Sequence, residues 1–451
     1  EMAHSGDLIV TTIHYKPDMW NTKPPLMIWA QALCIKIFGM GEWAVRLPAA
    51  LAAALTAILL FVVILRVTGN GWAALLAAIV LCTSQGYIGF HGARFGEYDS
   101  LLALLTTGYL LCFFFHIESP PGRAKNMFVL GFFFLLALAV LAKSIAGLLF
   151  GPALLLYALV RGQLITILRN KYAWLGFLGF IVLVAGYYLL REHSNPGYLK
   201  AVMENELGGR FMASNEGHKA PAGYYFSTLP HWRFPFWFWL LCVSMVLLPF
   251  LRAKWRWLSL YSVVSAVLFM GVLSLSKTKL SWYLLPIYPL FAIAIALAFA
   301  RVAEWIPAAA SRRFALPVLV GALSIYPLWR ACEPINNRGI SEINAPGFYN
   351  ISEYLRDAAR TGKHLDEIVF LTASDYDLHR QLYLRQLKET RNMDLRWSHL
   401  SERLVFEPGR RILVYEDRVK KFLVANYDYK VLEQDNNVLL CEIVNRKPQQ
   451  P

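Results

Sequence analysis

The sequence predicts a polytopic α-helical membrane protein with a small soluble α/β domain at its C-terminal end. Hydrophobic residues make up 57% of the 451 positions and charged residues only 16%, which is too apolar for an ordinary soluble domain. Apolar stretches long enough to cross a hydrocarbon core of about 30 Å recur over the first 330 residues. After Arg330 the sequence alternates strand-like runs, such as 368–372 and 411–415, with helical patterns, such as 351–360.

Ten apolar stretches predict membrane-spanning helices. They lie near residues 43–66, 71–90, 100–117, 126–142, 145–161, 172–191, 234–251, 257–276, 280–301 and 314–330. The apolar segment Pro25–Phe38 is short, and counting it as a span would place every later loop on the opposite side of the membrane. We interpret it as an interfacial helix on the outer leaflet.

The basic loops predict the orientation, because Lys and Arg collect on the cytoplasmic side. Alternate loops are basic, and we place inside Arg66, Arg123, Lys125, Arg161, Arg169, Lys171, Arg252, Lys254, Arg256, Arg301, Arg312 and Arg313. The other loops, including 192–233, are then outside. The predicted domains are an external loop with the interfacial helix (1–42), the transmembrane bundle (43–330) and a soluble external domain (331–451).

The formal charge of +14 does not indicate nucleic-acid binding, because many of the basic residues lie between apolar runs instead of forming one polar surface. This distribution predicts membrane lipids as partners and no nucleic acid. The C-terminal domain carries no phosphate loop and no dinucleotide fingerprint, which favours a structural or acceptor-recognition cap. The six cysteines show no metal-like or paired spacing.

Candidate chemistry lies in the predicted outer loops. Lys23, followed by two prolines and the interfacial helix, suits a lipid phosphate at headgroup depth, although an interfacial lysine that only snorkels is the alternative. Arg94, Glu97 and Asp99 lie close together in the sequence at the outer end of a span. Placing carboxylates so near to hydrocarbon costs free energy, and such residues are usually functional. Asp99 alternatively caps the helix that begins at Ser100.

Two further outer stretches carry unusual side chains. The loop 192–233 offers Arg210 for phosphate, His218 for titration or metal binding, and the pair Tyr224 and Tyr225 for stacking on a sugar ring. A lone histidine is more often a hydrogen-bonded structural residue. The other stretch has basic residues on the side that the positive-inside rule leaves neutral, so they predict an anionic ligand. Its members are Lys277, Lys279 and the nearby Tyr283, and Lys143 gives a fainter signal of the same kind.

The order of these motifs resembles one superfamily. The motifs are Ser5-Gly6-Asp7, Lys23-Pro24-Pro25, Tyr98-Asp99, Lys143, Arg210-Phe211, His218-x-x-Pro221 with Tyr224-Tyr225, and Lys277-x-Lys279-Leu280 with Tyr283. As an ordered set over residues 1–330 they resemble GT-C glycosyltransferases of the protein O-mannosyltransferase and aminoarabinose lipid A transferase type.

The resemblance implies a GT-C type bundle that takes a polyprenyl-phosphate sugar as donor and a lipid, glycan or protein as acceptor, outside a bacterial inner membrane. It implies a donor-phosphate contact for Lys23, the acidic residue of the second outer loop for Asp99, and phosphate or acceptor contacts for Arg210 and Lys277 or Lys279. With Glu97 as a second carboxylate, we expect displacement at the anomeric carbon, with cations stabilising the departing phosphate.

The sequence departs from the family pattern at two places. The resemblance implies an earlier helix and an Asp-Glu pair before Glu1, so we expect the sequence to be a piece of a longer protein. It also implies an acidic residue before the Lys-Pro motif, where this chain has Thr22. No cofactor is assigned, and a divalent metal stays an open alternative.

Two other classes of function remain open at this point. A transporter or flippase of an amphipathic anion also has about ten spans, although transporters place their polar residues near the midplane and often show repeated halves. The third class is a membrane-anchored binding protein whose C-terminal domain recognises a partner.

Overall fold

The computed structural model divides into two compact units, one of residues Glu1–Phe38 with Trp43–Glu333 and the other of Gly39–Glu42 with Pro334–Pro451. The structure describes residues 1–13, 16–212, 220–307, 309–336, 346–363, 365, 367–373, 378–393, 395–400 and 404–448. The fold class is as predicted, a helical membrane bundle and a small C-terminal unit built on a β-sheet.

The first unit is almost entirely helical. Its α-helices are Met2–Ser5, Leu26–Phe38, Glu42–Thr68, Gly71–Cys82, Gln85–Ile88, Asp99–Glu118, Arg123–Lys143, Gly151–Val160, Leu164–Leu168, Lys171–Ser194, Tyr198–Val202, Tyr224–Thr228, Pro235–Val246, Ala253–Leu275, Tyr288–Trp305 and Ala309–Asn336. The 3₁₀-helices are Ser144–Leu148, Leu248–Phe250 and Ser281–Ile287, and the π-helices are Met203–Met212 and Leu229–Arg233. A short hairpin pairs Thr12–Ile13 with Lys16–Pro17.

Seven helical segments of the described chain are long and apolar enough to cross a membrane. They are Glu42–Thr68, Asp99–Glu118, Arg123–Leu148, Lys171–Ser194, Ala253–Leu275, Ser281–Trp305 and Arg313–Glu333. They match seven of the ten predicted spans. The short apolar segment that we predict to lie at the interface also forms a helix, over Leu26–Phe38.

The other three predicted spans were wrong as single long helices. Helix Pro235–Val246 gives way to a 3₁₀ turn at Leu248–Phe250, where Pro249 supplies no amide donor. The predicted span 145–161 is a 3₁₀ turn followed by the helix Gly151–Val160. Helix Gly71–Cys82 ends at Thr83, and the next turn is a separate short helix.

Contacts at both ends show that an interrupted segment still runs the length of its neighbour. The ring of Phe234 lies 5.7 Å from that of Tyr288, at the start of helix Tyr288–Trp305. At the opposite end of both segments, Arg301 Nε donates to the carbonyl of Phe250 at 2.7 Å. The segment from Phe234 to Phe250 therefore runs parallel to helix Tyr288–Trp305 and over a similar length.

Burial differs sharply among the long helices. In the most apolar 18 residues of the span Ser281–Trp305, 94% of the residues are buried, and the repeated small alanines let neighbouring helices approach closely. In the corresponding 18 residues of the span Lys171–Ser194 only 11% are buried, and this span exposes large apolar side chains along most of its length. We infer that the first is the centre of the bundle and that the second faces lipid.

The second unit contains a five-stranded sheet. The strands in spatial order are Leu395–His399, Ile368–Thr372, Arg411–Val414, Val438–Arg446 and Tyr427–Asp435. The first two pairings are parallel and the last two are antiparallel. Helices Pro346–Thr361, Leu378–Arg391 and Asp417–Asn426 accompany the sheet. The two strands and the helix predicted in this region are thus confirmed.

Candidate active site

A buried ion pair joins the ends of two neighbouring helices. Asp99 is the first residue of helix Asp99–Glu118, and Lys143 is the last residue of helix Arg123–Lys143. Lys143 Nζ lies 2.5 Å from Asp99 Oδ1, and the two side chains are 9% and 3% exposed. Each charge also suits its helix end, because the helix dipole favours an anion at the N-terminus and a cation at the C-terminus. Asp99 is therefore an ion-pair partner within the helix and not its N-cap residue.

Lys23 is placed by the loop that precedes the interfacial helix. Asp18 Oδ1 accepts hydrogen bonds from the backbone amides of Trp20 and Asn21, which fixes the turn. Asn21 Nδ2 donates to the hydroxyl of Tyr98 at 2.9 Å, and Lys23 Nζ donates to Asn21 Oδ1 at 3.3 Å. The ammonium of Lys23 also lies 5.6 Å from the centre of the Tyr98 ring. These contacts hold Lys23 beside the start of the Asp99 helix.

Glu206, which was not predicted from the sequence as a site residue, reaches the same region. It lies on the π-helix Met203–Met212 and is 9% exposed. Thr22 Oγ1 donates to Glu206 Oε1 at 3.4 Å, and the neighbouring Asn205 donates to the carbonyl of Met19 at 2.9 Å. The signal that the sequence offers is a carboxylate one helical turn before Arg210.

These side chains line one cavity, which we call the central cavity. Its polar lining comprises Lys23, Asp99, Lys143, Glu206, Ser276 and Tyr283, and its apolar lining comprises Leu102, Ile145, Ala146, Leu149, Phe269, Val272 and Leu273. Lys143 Nζ lies 5.3 Å from the centre of the Tyr283 ring. The cavity therefore combines two lysines and two carboxylates with a wall of hydrocarbon from separate helices.

The two lysines predicted after Ser276 have different surroundings. Lys279 is buried, and its Nζ donates to the carbonyl of Ser276 at 2.5 Å. Lys277 is exposed. Since Ser276 lines the central cavity, Lys279 lies within one hydrogen bond of a lining residue.

The predicted tyrosine pair lies beside this loop. Tyr225 is fully buried, and its hydroxyl accepts a hydrogen bond from the amide of Leu280 at 3.3 Å. The rings of Tyr224 and Tyr225 are 5.3 Å apart. The pair supports the backbone next to Lys279 and is not among the residues that line the central cavity.

Glu97 and Arg94 lie outside the lining of the central cavity. Arg94 is exposed, and Glu97 Oε1 lies 3.8 Å from Nδ1 of His91. The His91 ring stacks on Trp282 with 4.2 Å between ring centres. His91 and Arg233 were not predicted from the sequence as site residues. Arg233 Nη2 donates to Ser281 Oγ at 2.5 Å. Arg233 adds a cation on the same side of the bundle.

Burial shifts the pKa values of both side chains in the Glu97–His91 contact. It lowers the pKa of His91 to about 4, and the nearby positive charges of Lys143, Arg233 and Lys23 act in the same direction against the opposing effect of Asp99. Burial also raises the pKa of Glu97 above its ordinary value, and the negative charge of Asp99 adds to this. His91 is therefore neutral near pH 7.

Two predicted site residues lie wholly or partly outside the described part of the chain. His218 lies outside it, and for Arg210 only the backbone is described, as part of the helix Met203–Met212. Within the described chain, no group of three His, Cys, Asp or Glu side chains is arranged to hold a metal ion. Thr22, where the resemblance implies an acid, bonds to Glu206 instead. The described residues thus do not form a metal site, and no step is assigned to a metal.

The Asp99–Lys143 pair makes a specific prediction for stability. Asp99→Asn or Lys143→Met alone leaves one uncompensated buried charge, which costs about 3–5 kcal/mol. The double variant removes both charges, so its thermal unfolding midpoint in detergent should lie above those of both single variants. Glu204→Gln, a change at a carboxylate 64% exposed, is the control and should shift the midpoint little. Single variants as stable as the unchanged protein would contradict the burial of this pair.

Comparison with known proteins supports the resemblance. The family described as dolichyl-phosphate-mannose-protein mannosyltransferase matches residues 22–188. An undecaprenyl phosphate-alpha-4-amino-4-deoxy-L-arabinose arabinosyl transferase of Edwardsiella ictaluri is 28% identical over 306 residues, covering 66% of this chain and 52% of the relative. A protein of Aquifex aeolicus is 26% identical over 65% of this chain and 55% of the relative. The chain spans about half the length of these curated relatives.

The fold also matches solved structures. The crystal structure of ArnT from Cupriavidus metallidurans bound to undecaprenyl phosphate aligns with a TM-score of 0.73 at 16% identity, covering 98% of this chain and 91% of the other. The apo structure of the same protein gives a TM-score of 0.70. Sequence and fold agree: the chain is a multi-pass membrane protein with the fold of these structures, and its sequence is similar to transferases of the aminoarabinose type.

Proposed function

We propose that this protein is an integral membrane glycosyltransferase that moves a sugar from a polyprenyl-phosphate donor to a lipid, glycan or protein acceptor. The central cavity is the main support for the proposal. It contains ammonium groups that can bind a phosphate, and it also has a hydrocarbon wall that can bind a prenyl chain. Both features are needed to bind a lipid phosphate, whose head is anionic and whose tail is apolar.

Lys23 is the proposed contact to the donor phosphate. Its ammonium lines the central cavity and is oriented by Asn21 and Tyr98. The charge of Lys143 is already compensated by Asp99 at 2.5 Å, so Lys143 adds less net attraction for an anion. Arg210 and Lys279 are proposed to complete the phosphate site. Lys279 is preferred to Lys277 because it is buried beside Ser276.

The apolar wall is the proposed path of the prenyl chain. Leu102, Leu149 and Phe269 come from three different segments and all line the central cavity. The solved relative from Cupriavidus metallidurans binds undecaprenyl phosphate, which supports a lipid phosphate as the ligand here. Burying prenyl hydrocarbon contributes about 25 cal/mol per Å² of apolar surface.

The proposed reaction needs no nucleotide, because the sugar arrives activated on its carrier. The bond from the anomeric carbon to the phosphate oxygen breaks, and a bond to an acceptor oxygen forms. Cations at the phosphate stabilise the negative charge that grows on the departing lipid phosphate. Asp99 is proposed to hold the Lys143 side chain in place, and Glu97, with its raised pKa, is the candidate to accept the proton of the acceptor hydroxyl.

Two observations argue against the transporter alternative. The polar side chains of the central cavity come from helix ends on one side of the bundle, where a transporter would place them near the midplane. The relatives with a stated activity are transferases.

We propose that the cavity end of the bundle and the unit Pro334–Pro451 lie on the external side of a bacterial inner membrane. The positive-inside rule supports this orientation. A cysteine at Asp417, which is 91% exposed, should react with a membrane-impermeant maleimide in intact spheroplasts of a strain whose copy lacks native cysteines. A cysteine at Lys171, on a predicted inner loop, is the control and should react only after lysis. The reverse pattern would refute the orientation.

The donor site predicts the effect of changing Lys23. Lys23→Ala should weaken binding of undecaprenyl phosphate by roughly ten- to a hundredfold, because a charge-assisted hydrogen bond contributes about 1.5–3 kcal/mol. Lys23→Arg should keep part of the affinity, since the charge remains but its geometry changes. Binding can be measured by titrating the lipid into protein in nanodiscs.

Lys16 supplies the matched control, as an exposed lysine of the same N-terminal segment. Lys16→Ala should bind the lipid as the unchanged protein does. If Lys23→Ala bound undecaprenyl phosphate with unchanged affinity, Lys23 would be a snorkelling interfacial lysine and the donor site would have to be abandoned.

A further inference from the structure

We propose that Glu206 is a substrate-contacting residue that accepts hydrogen bonds from the sugar of the donor. This inference rests on the proposed function, in which the donor phosphate lies at Lys23. It assigns to the central cavity a subsite for a hydroxyl or ammonium group, next to the phosphate site.

The first argument is the buried charge of Glu206. The side chain is 9% exposed, and its one hydrogen bond among the described residues comes from Thr22 Oγ1 at the long distance of 3.4 Å. No described lysine or arginine side chain forms an ion pair with it. A carboxylate can accept about four hydrogen bonds, and burying one without partners is costly. Glu206 thus has unused acceptor capacity that faces the central cavity.

The second argument comes from the other carboxylate of the cavity. Asp99 lies 2.5 Å from Lys143, and its charge is compensated within the protein. Glu206 has no equivalent compensation in the described chain. Of the two lining carboxylates, Glu206 is the one left to bind a proton donor on a ligand.

The third argument is the fixed position of Glu206 relative to Lys23. Asn205 donates to the carbonyl of Met19, and Tyr198 donates to the carbonyl of Thr22 at 2.8 Å. Thr22 is the residue immediately before Lys23 and also the partner of Glu206. A sugar joined to a phosphate at Lys23 therefore lies next to a carboxylate that the same loop holds in place.

A site built to hydrogen-bond a polar group discriminates strongly against a ligand that lacks it. Glu206 should therefore affect binding of the sugar and leave binding of the bare lipid phosphate unchanged. A merely structural role, in which Glu206 only fastens the helix to the loop, would weaken binding of both ligands equally.

The test measures the affinity of the protein in nanodiscs for three probes. They are undecaprenyl phosphate, the same lipid phosphate carrying a neutral hexose, and the same lipid phosphate carrying 4-amino-4-deoxy-L-arabinose. In the unchanged protein at least one glycosylated lipid should bind more tightly than undecaprenyl phosphate. Glu206→Gln, which removes the charge and keeps the shape, should weaken binding of that glycosylated lipid about tenfold and leave undecaprenyl phosphate unaffected. A loss confined to the amino sugar identifies an ammonium partner, and a loss for both sugars identifies a hydroxyl.

Glu204 provides the matched control, because it lies on the same helix but its side chain is 64% exposed. Glu204→Gln should bind all three probes as the unchanged protein does. The proposal is overturned if no glycosylated lipid binds more tightly than undecaprenyl phosphate, if Glu206→Gln leaves the sugar-dependent affinity intact, or if it weakens all three probes equally. Failure of the phosphate site itself is recognised separately, by unchanged binding of undecaprenyl phosphate to Lys23→Ala.

Discussion

The buried ion pair of Asp99 and Lys143 is the interaction on which the cavity end of the bundle depends. It ties the start of one helix to the end of the next, and Lys143 also contacts the ring of Tyr283 in a third segment. Ser144, the residue after Lys143, exchanges a hydrogen bond with Tyr188 of helix Lys171–Ser194. At the opposite end of helix Asp99–Glu118, Glu118 pairs with Arg161, which follows helix Gly151–Val160. The polar cavity is therefore a structural junction as well as a candidate site.

Much of this architecture could be predicted from the sequence, because a membrane imposes strong constraints on length and polarity. Seven spans, the helix Leu26–Phe38 and two of the C-terminal strands follow from runs and alternation of apolar residues. Lys23, Asp99 and Lys143 were identifiable because charges near hydrocarbon are costly unless they are paired or functional. The structure brings these three together in one cavity, together with Tyr283.

Other features depend on contacts between residues far apart in the chain, which local patterns do not encode. The sequence marks Asp99 and Lys143 as unusual but does not show that they are partners. Glu206 enters the cavity only because its helix docks on the loop before Lys23, through the Asn205–Met19 hydrogen bond. Three apolar runs were wrongly predicted as single helices, because an apolar run indicates a length but not where the helical hydrogen bonds end. Pro249 lies at the interruption of one of these segments, and Thr83 lies at the interruption of another.

The central claim is that one cavity binds both parts of a lipid phosphate. The most direct measurement is an electron cryo-microscopy structure of the protein in a nanodisc with undecaprenyl phosphate. We expect phosphate density about 2.7–2.9 Å from Lys23 Nζ, with the prenyl chain continuing along Leu102, Leu149 and Phe269. Phosphate density remote from Lys23, or lipid density that leaves the central cavity empty, would contradict the account.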